Sequence, residues 1–232
     1  MNIISSLKSL TKFERILWIV SVIIVTLSFL LSGNFHILTI TASLVGVSAL
    51  IFVAKGDTLG QVMTIIFAVL YAIVSYENRY YGEMITYLGM TAPMALLAVV
   101  SWLKHSYDKN TVEVAQISRK AVIRMIIYTV AVTIVFYFIL KYFNTASLTL
   151  STISVATSFL ASYLTYSRSP FYALAYSAND MVLIGLWIIA AMKNISYLPM
   201  AACFLMFLLN DLYGFYNWCR MSKEQQNKKR IP

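Results

Sequence analysis

Apolar residues run along this chain in long blocks, not in alternation. Eight such blocks are predicted as helices: Glu14–Leu31, Ile37–Ala54, Leu59–Tyr76, Glu83–Leu103, Ala121–Lys141, Leu148–Tyr166, Pro170–Met192 and Ser196–Trp218. Each is close to the about 20 residues that a helix needs to cross the hydrocarbon core. Aromatic and β-branched residues are frequent within them, but unbroken apolar runs of this length are not strand-like. A transmembrane β-barrel would show segments of about 10 residues in strict alternation, and this chain does not. The fold class expected is all-α, a polytopic membrane protein of eight helices.

Short polar segments separate the blocks. The longest, Lys104 to Lys120, divides them into two sets of four. Little chain remains for a soluble domain, so any function has to be carried out inside the bilayer or at its faces. The first block is longer than a signal-peptide core, and Leu-Ser-Gly-Asn at 31–34 is a poor cleavage site. It is expected to stay as a mature helix.

Composition sharpens this picture. The chain has 232 residues, 60% hydrophobic and 12% charged, with a mean hydropathy of +0.75. Soluble domains carry about 25% charged residues. An ordinary soluble enzyme, a disordered protein and a disulfide scaffold are all excluded. Cys203 and Cys219 lie on one predicted helix, roughly 24 Å apart along its axis, too far to bridge each other.

The formal charge of +9 reads as topology. With the N-terminus inside, the inner segments hold Lys8, Lys12, Arg15, Lys55, Lys104, Lys109, Arg119, Lys120, Arg124, Arg168, Arg220, Lys223, Lys228, Lys229 and Arg230. Only Arg79, Lys141 and Lys193 fall outside. Positive charge favours the cytoplasmic side, so both termini are expected there. The basic tail reads as an anchor against anionic lipid, and no nucleic-acid partner is expected.

Two carboxylates stand where they are expensive. Asp180 lies near the middle of the seventh block and Asp211 within the eighth. An ionisable group at such depth costs about 2.5–3.5 kcal/mol on insertion scales, and it faces a bundle interior or a pathway. At 100° per residue, Tyr176, Asp180 and Trp187 fall within roughly 40° of one another, with Asn179 beside them. Asn210, Tyr213, Gly214 and Asn217 make a second polar stripe on the eighth block. Thr64, Ala68, Tyr71 and Ser75 make a third on the third block. Together they predict a polar, aromatic cavity suited to a flat ring carrying a sugar or a positive charge. Ser154, Ser158 and Ser162 on the sixth block read first as close helix packing.

No glycine-rich phosphate loop, zinc-protease motif or paired cysteine is present. His36 and His105 fall outside the blocks. ATP hydrolysis, intramembrane catalysis, a metal site and a cofactor are therefore not expected.

A weak internal repeat is also legible. Trp102-Leu-Lys104 ends the fourth block, and Trp218-Cys-Arg220 ends the eighth. Tyr71 and Trp187 sit at that same offset. A shift of four spans preserves orientation, so such repeats would be parallel.

The segments Lys55-Gly56-Asp57, Tyr80-Tyr81-Gly82-Glu83-Met84 and Tyr213-Gly214-Phe215-Tyr216-Asn217-Trp218 resemble the PnuC family of nicotinamide riboside transporters over nearly the whole chain. That resemblance implies two parallel triple-helix bundles, at 37–103 and 148–218, joined by a linker helix at 121–141. The fold would be SWEET-like, with 14–31 as an extra N-terminal helix, and the assembly a homotrimer in the bacterial inner membrane. It implies facilitated diffusion of nicotinamide riboside, trapped inside by phosphorylation on a separate kinase. The family pattern Asn-x-x-Tyr matches Asn210-Asp-Leu-Tyr213. A Trp-x-x-Trp pattern is incomplete, because Val99 stands three residues before Trp102.

The expected binding residues are Gln61, Thr64 and Tyr71 from the first bundle and Tyr176, Asn179, Asp180, Trp187, Asn210 and Tyr213 from the second. Trp187 is assigned to ring stacking, Asn179 and Asp180 to polar or cationic recognition, and Asn210 with Tyr213 to ribose hydroxyls or gating. Thiamine, riboflavin or a sugar are alternative cargoes, and a receptor without transport is a further one. The absence of a Pro-Gln dipeptide speaks mildly against a small sugar carrier.

Overall fold

A computed structural model describes residues 3–33, 36–77, 80–108, 111–145 and 147–230. Arg79 and Lys109 of the charge distribution, and Asn34 of the weak cleavage site, lie outside them. A short helix α1 (Ile3–Lys8) precedes α2 (Lys12–Ser32), α3 (Ile37–Lys55) and α4 (Thr58–Glu77). The fourth span is α5 (Tyr81–Thr86), a π-helical turn (Tyr87–Thr91) and α6 (Ala92–Lys104). Then follow α7 (Arg119–Tyr142), α8 (Leu148–Tyr166), α9 (Tyr172–Lys193) and α10 (Leu198–Arg230). Among the described residues, eight helical segments are long and apolar enough to cross a membrane. The chain is therefore a multi-pass helical protein, as the hydrophobic blocks predict.

Local chemistry sets the boundaries. Thr11 and Glu14 form a reciprocal capping box at the start of α2, and Gly33 closes that helix in the left-handed conformation. Gly56 does the same for α3, and the next residue, Asp57, accepts the Leu59 N–H at 2.9 Å to start α4. The equivalent turn after α8 uses Arg168, also left-handed, followed by Ser169.

Two boundaries differ from the sequence expectation. The eighth helix does not stop near Trp218 but continues to Arg230. Its extension is rich in Lys, Glu and Gln, which are good helix formers. Its Gln225 clasps the long connection: the side chain accepts from Val114 N–H at 2.8 Å and donates to Val112 carbonyl at 3.1 Å. That connection is also pinned at both interhelical turns, by Val112 N–H to Gly56 carbonyl (3.0 Å) and Ala115 N–H to Arg168 carbonyl (2.9 Å). Glu113 pairs with Lys229 and lies 3.6 Å from Arg168. The second difference is the π-turn, where the Ala92 N–H reaches the Tyr87 carbonyl.

Helices α3, α4 and α6 pack against one another in sequence, as do α8, α9 and α10; α10 also packs on α3, and α6 on α8. The tryptophans at the ends of the two sets meet, with ring centroids 5.3 Å apart. Each donates to the opposite set: Trp102 Nε1 to Thr165 carbonyl and Trp218 Nε1 to Val53 carbonyl, both at 3.0 Å. Helix α7 leaves Ile123, Ile126, Ile127, Val130 and Ile134 exposed, as a lipid-facing helix does.

Candidate functional site

The interior is organised in layers along the helix axes. At mid-depth, α3, α4, α8, α9 and α10 surround a cavity of about 60 Å³. A water molecule needs about 10–15 Å³ by this measure, so the cavity has room for several waters. Gln61 and Thr64 line it from α4, and Tyr176, Asn179 and Asp180 from α9. Ser158, Phe67, Tyr87, Phe204, Phe207 and Asp211 also line it. These last residues were not in the sequence-based set, although Asp211 was singled out by its depth.

The serines of α8 hold the site in place. Asn179 Oδ1 accepts from Ser154 Oγ at 3.1 Å and Thr157 Oγ1 at 3.0 Å. Ser162 Oγ lies 3.0 Å from the Tyr176 hydroxyl. The four-residue serine spacing thus gives close packing of α8 on α9 and orients two cavity side chains.

Asp180 is 2% exposed and its Oδ2 finds no hydrogen-bond donor. Asp211, 3% exposed, interacts with it across the cavity. Among the described residues no Lys, Arg or His lines the space. Two carboxyl groups at this depth without a basic neighbour make a site that gains from a positive charge.

Tyr71 and Trp187 do not line this cavity. They form an aromatic layer beside it: Tyr71 lies 4.3 Å from Tyr87 and 6.4 Å from Trp187, centroid to centroid. The reason is axial distance. Trp187 shares a face with Asp180 but lies about 10 Å further along the helix. Tyr71 stands in the same relation to Thr64.

Asn210 and Tyr213 are also placed elsewhere, against α2. Asn210 Nδ2 donates to Ser21 Oγ at 3.1 Å, and the Tyr213 hydroxyl donates to Glu14 Oε1 at 3.0 Å. Glu14, 1% exposed, also accepts from Thr11 N–H and sits 3.4 Å from Lys55 Nζ. Lys55 in turn donates to the Ser9 carbonyl. The Asn-x-x-Tyr motif of this chain therefore fastens α2 to α10. Asn210 and Asp211 are neighbours about 100° apart on α10, so one faces α2 and the other the cavity.

These features describe a polytopic helical membrane protein with an internal, acidic and aromatic cavity. The sequence model of the nicotinamide mononucleotide transporter family matches residues 36–220, and the chain belongs to that family. The nicotinamide riboside transporter PnuC of Neisseria mucosa is 28% identical over 193 residues, 81% of this chain and 73% of that one. The protein of the same name from Haemophilus influenzae is 25% identical over 189 residues, 80% of each. A crystal structure of the vitamin B3 transporter PnuC superposes with a TM-score of 0.80 at 26% identity, covering 93% of this chain and 94% of that one.

Proposed function

We propose that this chain carries nicotinamide riboside, a pyridinium cation joined to ribose, across the bacterial inner membrane by facilitated diffusion. Phosphorylation by a separate kinase then holds the cargo inside. The observation that carries the reading is the Asp180–Asp211 pair, buried at mid-depth without a basic neighbour and flanked by Tyr176, Asn179, Gln61 and Thr64. The carboxyl groups suit the ring's positive charge, and the amides and hydroxyls suit ribose. The relatives' names support the same cargo.

The contacts at Trp102–Trp218 and Tyr71–Trp187 support two parallel SWEET-like triple-helix bundles, at 37–103 and 148–218 with 121–141 as linker. Residues at equal offsets in two repeats touch on the axis that relates them. Rocking about that axis would widen the cavity and alternate its access. The 15-to-3 charge distribution supports cytoplasmic termini. The homotrimer belongs to the same proposal, and the mass of the detergent-solubilised protein tests it.

Uptake of labelled nicotinamide riboside into liposomes carrying the protein, without ATP or an ion gradient, is the expected result. Uptake no greater than in empty liposomes would overturn the reading. Asp180→Asn is expected to weaken uptake at least tenfold. A second cargo, thiamine, has one observation in its favour: its thiazolium ring is also cationic and would gain from the same two carboxyl groups. Competition by unlabelled thiamine that matches unlabelled nicotinamide riboside would favour it. Riboflavin and sugars lack a positive charge and use that pair poorly.

A further inference from the structure

A second pocket, of about 80 Å³, lies on the face opposite the termini. Tyr80 and Glu83 line it at the start of the fourth span, Ser151 from α8, and Lys193 and Tyr197 at the α9–α10 turn. Glu83 is 3% exposed, and its Oε2 has no hydrogen-bond partner. The Ser151 hydroxyl, also buried on this wall, has none either. A buried carboxylate oxygen without a donor is costly and is retained where something else supplies the charge or the proton.

Two rings, Tyr80 and Tyr197, line the pocket, and Trp187 packs against both. Tyr80 is 5.2 Å from Trp187 and 5.8 Å from Tyr197, and Trp187 is 5.8 Å from Tyr197. Tyr80 and Tyr197 present rings to the pocket that Glu83 also lines, and ring quadrupoles with a carboxylate attract organic cations. Burial and the adjacent Tyr197 push the Tyr80 phenol up to about 12, so its ring is neutral at working pH. The site is rigidly mounted: a Cβ on Gly82 would come within 2.5 Å of Thr145 Oγ1 and 2.6 Å of Leu140 Cδ2, so the backbone before Glu83 is pressed onto α7 and its following turn. Among the described residues no basic group lies within 4 Å of Glu83, although Lys193 lines the same pocket.

We infer that this pocket is an outer recognition subsite for an aromatic cation, holding a pyridinium ring between Glu83 and the rings of Tyr80 and Tyr197 before it reaches the central cavity. The inference rests on the cationic cargo proposed above and adds a second station to its path. Selection for charge is then made twice, first at Glu83 and again at Asp180 and Asp211. A neutral pyridine of the same shape would gain nothing from Glu83.

The test uses 1-methylnicotinamide, a pyridinium without the sugar, and neutral nicotinamide as probes for calorimetric titration of the purified protein. In an Asp180→Asn background, which removes the strongest competing charge, saturable binding of the cation is expected. Glu83→Gln in that background is expected to weaken binding at least tenfold, while Glu83→Asp retains it. Tyr197→Leu, at the rim, is expected to weaken it several-fold and serves if Glu83→Gln does not fold. Binding unchanged by Glu83→Gln or Tyr197→Leu overturns the inference. So does nicotinamide binding as tightly as the cation. Nicotinamide riboside uptake separates the two claims. Robust uptake insensitive to Glu83→Gln refutes the outer subsite alone, and no uptake by the unaltered chain beside Glu83-dependent probe binding refutes the cargo alone.

Discussion

Replacing Tyr213 by Phe separates a binding role from a fastening role. The substitution keeps the ring, which lies 5.0 Å from that of Phe13, and removes one hydroxyl. That hydroxyl donates to Glu14 Oε1 at 3.0 Å, in a cluster where Glu14 also accepts from Thr11 N–H and pairs with Lys55. A hydrogen bond to a charged group contributes about 1.5–3 kcal/mol. The acceptor is almost fully buried, so water cannot replace the donor without opening the contact between α2 and α10. A loss of about 2 kcal/mol corresponds to a drop of roughly 4–8 °C in unfolding temperature for a chain of this size. The assay is thermal unfolding in detergent with and without saturating nicotinamide riboside. The unliganded protein is expected to melt lower, with the ligand-induced increment unchanged. An unaltered melting temperature with the increment lost would place Tyr213 in the binding site and refute the reasoning.

Three further outcomes follow from the packing and the charge pairs. Gly46→Ala sets a methyl group 2.6 Å from Phe207 Cζ and 3.0 Å from Phe67 Cδ2, side-chain atoms at the cavity wall. The rings are expected to turn into the cavity, lowering uptake several-fold with little change in melting temperature. Trp102→Phe and Trp218→Phe each remove one buried hydrogen bond from a carbonyl that keeps a backbone donor, the Arg168 N–H on Thr165 and the Gly56 N–H on Val53, and each is expected to cost about 0.5–1.5 kcal/mol in denaturant unfolding, with similar values for the two. The Glu113 carboxyl is held below the usual carboxylate value by its hydrogen bond to Lys229, aided by Arg168. A lowered folded value means stability present above the unfolded value near 4.5 and lost as pH falls through the lower folded one. The melting difference between the unaltered chain and Glu113→Gln is therefore expected at pH 7 and should shrink as pH falls below 4.5 and through the lowered folded value.

The architecture was largely legible because insertion depends on block length and apolarity, which are local properties. Site depth was legible through Asp180, since a mid-span carboxylate requires an interior position. Azimuth was less so. Helix α10 buries one side against α2 and another against α3 and α9, so its polar residues point in two directions. Nothing in Asn210-Asp-Leu-Tyr213 tells which of the first two faces cargo. Glu14 was hidden for the opposite reason. It stands at the start of a span, where a carboxylate is ordinary, and only the arrival of Tyr213 and Lys55 makes it interior. Trp187 shared the right face with Asp180 but not its depth, which periodicity alone does not weigh. Glu83 sits at a span end too, and its buried setting comes from α7 and α8, far away in sequence.

The π-turn at Tyr87–Thr91 has a consequence for numbering. Glu83 and Ala95 are both buried, 12 residues apart. In an uninterrupted α-helix that separation turns the face by about 120°. One residue absorbed in a wide turn removes about 100° of this and leaves roughly 20°, so both ends of the span look inward. A relative whose fourth span is straight reaches the same facing with one residue fewer. A single-residue gap in this stretch is then a property of helix winding, and pairing Glu83 with its counterpart requires the gap to fall inside the helix and not in the loop before it.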